Sequence, residues 1–237
     1  MPRFAFAVPV LPGKDAGSVP TVFAGRMEEY EESRRRMGLS VERAYEMPTP
    51  MGNFVIAYME SEHDFAQTLG AVGRSDLAID RDFAAALKDV HGMDTSQPPP
   101  GPAPEVISDW HDPDVKERRR GYAFVAPLAP GRSDAARAFA REAWVDRRAE
   151  GAESRRALGI TQETAVLNST PDGDVVCVYI EGVDPAGGFR GFSASQTPYD
   201  RWFKDQLKTL FPPQVDFDQP LPPIRTLWEW HRSPVTA

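Results

Sequence analysis

The chain opens with a short apolar run, Phe4 to Val10, that stops at Pro12-Gly13. A run of that length bounded by turn residues predicts a strand. Apolar residues then recur at helical spacing, at Val19, Phe23, Met27, Tyr30 and Met37, which predicts one long amphipathic helix. Gly38 followed by Leu39 reads as the glycine that ends it, with a trailing hydrophobic contact. Two extended stretches flank "TPMGN", where Pro and then Gly two residues on suit a tight hairpin turn between a second and a third strand. Phe83, Leu87 and Val90 mark a second helix with Ser75 as its expected cap. A proline-rich segment of polyproline II character then leads to a last strand near Glu105 to Trp110. The order is βαββαβ, the ferredoxin-like plan.

The same succession returns in the second half. "FAFAVPVLPGK" from Phe4 reads against "YAFVAPLAPGR" from Tyr122, "ESRRRMGLSVE" from Glu32 against "ESRRALGITQE" from Glu153, and "TPMGNFVIAYME" from Thr49 against "TPDGDVVCVYIE" from Thr170. "DRDFAAALK" from Asp80 reads against "DRWFKDQLK" from Asp200, and both tails end in Trp-His, at Trp110-His111 and Trp230-His231. The offset drifts only from 118 to 121 to 120. Such self-similarity predicts two tandem units, 1–112 and 121–237, joined by a linker at 113–120. In the second unit Gly159 takes the place of Gly38. Ser195 or Thr197, with Pro198 in the first turn, caps the second helix, whose apolar positions are Phe203, Leu207 and Leu210. The last strand is expected from Ile224 to Trp230.

With its "ESRRALGI", "TPDGD", "DRWF" and "QPPPGP" segments, the chain resembles a bacterial family of unassigned function in the dimeric α+β-barrel (ferredoxin-like) superfamily. The resemblance covers nearly the whole chain twice. It implies an α+β protein in which two ferredoxin-like units pack sheet against sheet as a pseudo-twofold barrel with a ligand cavity inside. The superfamily includes small monooxygenases and haem-handling enzymes, so a small oxygenase or a haem-handling enzyme is one implied activity; a shared fold does not choose among them.

Within that plan certain polar residues stand out. Arg34 falls on the apolar stripe between Tyr30 and Met37, as Arg155 falls between Gly151 and Leu158. A part-buried guanidinium needs an acidic partner, and Asp80 and Asp200, at the start of the second helix, are the expected ones. The arginine fork also suits a carboxylate or phosphate ligand. Along the third strand Val55, Ala57 and Met59 alternate with Phe54, Ile56, Tyr58 and Glu60. The plainly apolar set is expected to face the helices. Tyr58 and Glu60, like Tyr179 and Glu181, are then expected to face the barrel interior, where they could orient a ligand or move a proton, with Trp110 and Trp230 lining the same space. Cys177 stands where the other unit has Ile56 and reads as a small buried hydrophobe.

Composition narrows the partners. A net charge of −8 argues against nucleic acid or an anionic membrane surface, whose binding draws on clustered Lys and Arg. The run "KERRR" from Lys116 reads as a solvated connector. One cysteine excludes an intramolecular disulfide and a cysteine-rich zinc site, and His63, His91, His111 and His231 show no zinc-site spacing. That spacing leaves a single axial haem histidine open. No glycine-rich phosphate loop, leader or long apolar stretch stands out, so a cytoplasmic protein without an indicated cofactor is expected, with further homo-oligomerisation left open. The functional reading is a protein that binds or transforms a small molecule in an inter-sheet cavity. The alternative is a non-catalytic structural or interaction module, in which the segments Pro98 to Pro104 and Pro220 to Pro223 act as straps.

Overall fold

The computed structural model describes residues 1–99 and 101–232, so Pro100 of the first proline strap lies outside the described residues. It divides into two compact units, Met1–Pro104 with Arg225–Ala237, and Glu105–Ile224. The first unit contains β1 (Arg3–Pro9), α1 (Met27–Arg36), β2 (Leu39–Thr49), β3 (Gly52–Ser61), α2 (Phe65–Arg74) and α3 (Ala78–His91). The second contains β4 (Glu105–His111), β5 (Arg120–Pro127), α4 (Ser133–Arg141), α5 (Arg148–Ala157), β6 (Ile160–Thr170), β7 (Gly173–Gly182), α6 (Pro185–Ala194) and α7 (Pro198–Leu210). The last strand, β8 (Arg225–His231), belongs to the first unit. The protein is thus α+β, with two four-stranded antiparallel sheets ordered β1-β3-β2-β8 and β4-β6-β7-β5.

The fourth strand of each sheet is where the structure departs from the boundaries at 112 and 120. β4 follows α3 in sequence but pairs antiparallel with β6, Trp110 opposite Glu163. β8 pairs in the same way with β2, Trp230 opposite Glu42. The division therefore falls at Pro104/Glu105 and Ile224/Arg225. The two tails share the pattern Trp-His, and β2 and β6 offer edges of similar chemistry, so pattern alone does not say which tail completes which sheet.

The expected long helix of the first unit is broken. Ala16–Phe23 is a 3₁₀ helix capped by the Asp15 carboxylate, which accepts from the Gly17 N–H, and Pro20 lies inside it. The chain then turns through Gly25, at φ +72°, before α1 begins. In the second unit the corresponding stretch stays helical, with a π-helical turn at Glu142–Asp146 between α4 and α5. Both first helices end as the sequence predicts, with Gly38 and Gly159 left-handed at φ +70° and +69°. Gly159→Ala has open space around it but must hold that φ, so it is expected to lose about 1–2 kcal/mol in urea denaturation.

Ser75 does not cap α3 directly. Leu77 is the N-cap, while the Ser75 hydroxyl accepts from Leu77 N at 3.2 Å and donates to Asp80 Oδ2 at 2.5 Å. In the second unit Thr197 caps α7, accepting from Asp200 N at 3.2 Å. The hairpins close through two-residue turns, Thr49 opposite Gly52 and Thr170 opposite Gly173. Among the described residues no helix is long and apolar enough to cross a membrane.

Candidate functional site: two cavities beside buried Arg–Glu pairs

In each unit the helix-facing side of the sheet meets the helices around a buried arginine. Residues 30, 34 and 37 of α1 and its cap share one helix face, and Arg34 is 0% exposed. Its first partner is a strand carboxylate. Glu42 lies opposite Met59, so it points to the helix side of the sheet. Arg34 Nε donates to Glu42 Oε2 at 2.5 Å and Nη2 to Oε1 at 3.1 Å, the bidentate geometry that suits guanidinium. The Tyr30 hydroxyl donates to Glu42 Oε2 at 2.6 Å and accepts from Trp228 Nε1 at 2.7 Å. Asp80, the partner expected from sequence, stands second: Arg34 Nη1 is 3.4 Å from its Oδ1, and Ser33 and Ser75 donate to it at 2.5 Å each. The rings of Tyr30, Phe83 and Phe23 lie 4.3, 4.9 and 5.0 Å from the guanidinium carbon.

The second unit repeats the arrangement with other packing. Arg155 Nε donates to Glu163 Oε2 at 2.6 Å and Nη2 to Oε1 at 3.3 Å, while Nη1 lies 3.6 Å from Asp200. Trp144 replaces Phe23 beside the guanidinium, at 5.2 Å. Gly151 stands in the place of Tyr30, and a Cβ there would lie 2.8 Å from the Tyr199 hydroxyl, which fills the space and donates to Ala143 O at 3.2 Å.

Burial alone would lower the affinity of Arg155 for its proton, but the Glu163 carboxylate foremost, with Tyr199 and Asp200, more than offsets it, and the pKa is raised. The guanidinium therefore stays charged. Burial foremost, and then the Glu42 charge, pushes the Tyr30 hydroxyl well above its ordinary range, so it remains a donor. Burial likewise pushes the Cys177 thiol up, leaving it an unreactive part of the core.

Beside each pair is an open cavity. In the first unit it measures about 90 Å3 and is bounded by Val55, Ala57 and Met59 of β3, by Phe83 and Leu87 of α3, and by Trp228. Glu42, Arg43, His91 and Thr95 supply its polar edge. In the second unit it measures about 80 Å3 and is bounded by Val176, Val178 and Ile180 of β7 and by a heavily aromatic helical wall that includes Trp144, Phe192 and Phe203. Its polar side chains are Ser108, Arg155 and Glu163. The apolar set of the third strand thus faces the helices, as the alternation predicts.

The remaining sequence candidates lie elsewhere. Tyr58, Glu60, Tyr179, Glu181, Trp110 and Trp230 line neither cavity. Tyr58 donates to Glu60 Oε1 at 2.7 Å, with Arg3 Nε at 3.3 Å, on the opposite face of the strand from Met59. Tyr179 donates to Glu181 Oε1 at 2.7 Å, with Arg118 Nη1 at 3.1 Å. Trp110 is buried and stacks on Trp144 at 6.0 Å, and Trp230 meets Tyr30 edge-on at 5.5 Å. Arg34 does not line the first cavity, whereas Arg155 lines the second.

Sequence reasoning missed Glu42, Glu163 and His91. The repeat marks the first two, each eight residues after its arginine, but not the face of the strand on which they lie. Among the described residues no group of three or more His, Cys, Asp or Glu side chains could hold a metal ion. His91 is the one histidine on either wall.

No protein-family model and no curated protein matches the sequence. Solved structures align with nearly the whole chain. A proposed monooxygenase from Fusobacterium nucleatum subsp. nucleatum aligns over 97% of this chain and 94% of its own, with TM-score 0.50 and 8% identity. A proposed monooxygenase from Lactobacillus acidophilus aligns over 96% and 93%, with TM-score 0.47 and 10% identity. An anthrone oxidase-like protein aligns over 95% and 97%, with TM-score 0.48 and 9% identity.

Proposed function

We propose that each unit binds a small, largely apolar molecule in the cavity between its helices and its sheet, and that the protein binds or transforms such molecules. The observation that carries this reading is the pair of cavities. Protein interiors are close-packed, and leaving about 80 Å3 open in a core costs roughly 2 kcal/mol. Both units keep such a space, each with a few polar groups on an otherwise apolar wall, which is the composition of a small-molecule site. At 8% identity the likeness to the Fusobacterium protein is one of fold, and the proposal takes no reaction from it.

Toluene is a suitable first probe. The indole N–H signals of Trp228 and Trp144 report on the first and second cavity respectively. Both signals are expected to shift saturably, and the unfolding free energy of each unit is expected to rise by about 2.7 kcal/mol at a hundredfold excess over Kd. Val178→Phe, which fills the second cavity, is expected to remove the Trp144 response and leave that of Trp228. Two indoles that ignore toluene to its solubility limit would overturn the proposal.

A further inference from the structure

Among the equivalent positions at which the two cavities differ, one exchanges a polar ring for an apolar one. In the first unit Leu11 N donates to Val90 O at 2.9 Å, and in the second Ala129 N donates to Leu210 O at 2.8 Å. The residue after each acceptor lines the cavity of its unit: His91 in the first, Phe211 in the second. The same backbone frame therefore presents an imidazole to one space and a phenyl ring to the other.

The imidazole is held in one tautomer. His91 Nδ1 lies 2.8 Å from the Pro9 carbonyl oxygen, which can only accept, so Nδ1 carries the proton and Nε2 is left as the ring's acceptor. Burial, chiefly, lowers the His91 pKa from its ordinary 6.5, and the ring is neutral at pH 7. Glu42, the carboxylate on this wall, already takes three hydrogen bonds, from Tyr30 and from Nε and Nη2 of Arg34, and the Thr95 hydroxyl is the wall's remaining side-chain acceptor beside His91.

We infer that the cavity of the first unit selects an apolar molecule bearing a hydroxyl, whose O–H donates to His91 Nε2, while the cavity of the second unit takes apolar molecules without that requirement. This rests on the reading of both cavities as ligand sites and adds a chemical class to one of them. The selection has a physical basis: inside an apolar wall a hydroxyl that finds an acceptor is retained, and one that finds none loses its hydration uncompensated.

Phenol and toluene, close in size and shape, test it. The ratio of their dissociation constants is read at Trp228 and at Trp144 in the same titration. Phenol is expected to be favoured at Trp228, relative to Trp144, by about tenfold, the worth of one hydrogen bond. His91→Phe, which installs the side chain of the second unit, is expected to bring the Trp228 ratio down to that of Trp144. His91→Gln, which keeps an acceptor, is expected to retain most of the preference. Equal ratios at the two indoles, or a His91→Phe protein with its preference intact, would overturn the inference while leaving the cavities as ligand sites. Failure of both probes to reach either indole would overturn the cavity reading and the inference with it. Should His91→Phe fail to fold, the ring nitrogens of His91 in the unaltered protein decide: the Nε2 resonance must move with phenol and not with toluene, and a resonance indifferent to phenol overturns the inference.

Discussion

Arg34→Met is expected to destabilise the first unit by about 3–5 kcal/mol, measured by chemical denaturation, because it leaves two carboxylates without their shared cation. Glu42 would keep the Tyr30 hydroxyl, and Asp80 would keep Ser33 and Ser75, so hydrogen bonding survives in part while the charge is uncompensated. The loss should therefore depend on those carboxylates more than on the arginine's own packing. Adding Glu42→Gln to Arg34→Met tests this: the double variant is expected to recover a substantial share of the loss, since one uncompensated charge has gone. Arg155→Met is expected to cost less than Arg34→Met, as its second bond to Glu163 is 3.3 Å and its approach to Asp200 is 3.6 Å. A double variant no more stable than Arg34→Met would show that lost packing against Phe23, Tyr30 and Phe83 is the larger cause. A loss below about 1 kcal/mol, the scale of exposed ion pairs, would show that the pair is dispensable to the fold.

The buried arginine was legible in the sequence because helical period is robust: position 34 falls on the stripe of 30 and 37 whatever happens upstream. Its main partner was not. Strand pairing shifts between Leu39 and Val41, and again between Ile160 and Gln162, and such an irregularity unsettles which face each later side chain takes. Glu42 and Glu163 could not be assigned to the helix side by counting from the helix end. Across the hairpin turn, β3 and β7 run without such a shift, and there alternation placed Val55, Ala57 and Met59 on the helix side. The break before α1 follows from two residues the apolar spacing ignored, Pro20 and Gly25. His91 was hidden for a different reason. A histidine at a helix end beside a glycine reads as a surface cap, and only the Pro9 carbonyl, 82 residues away, shows it turned to the core.

Deleting β8 by ending the chain at Ile224 is expected to open the sheet of the first unit at β2. The strand contributes more than hydrogen bonds. Trp228 packs 5.2 Å from both Phe23 and Tyr30 and donates to the Tyr30 hydroxyl, which in turn holds Glu42. Arg225 pairs with Glu46 at 2.6 Å, and Arg43 and Tyr45 bond the Glu229 carboxylate at 3.1 and 2.6 Å. Removing one packed tryptophan alone costs about 3–5 kcal/mol, so the truncation should lose at least that from the first unit. It also bares the edge of a strand with alternating apolar residues, a template for pairing with other chains, and the truncated protein is expected to aggregate on concentration. Amide exchange locates the effect. Protection along β2 is expected to fall by about a hundredfold or more, the equivalent of 3 kcal/mol, while β6 keeps its own fourth strand, β4. A synthetic peptide of residues 225–232 should then restore protection to β2 by adding back an antiparallel strand. Unchanged protection along β2 in the truncated chain would refute β8 as its partner; a peptide that restores β2 establishes that this edge is completed by the end of the chain and not by the strand that follows α3.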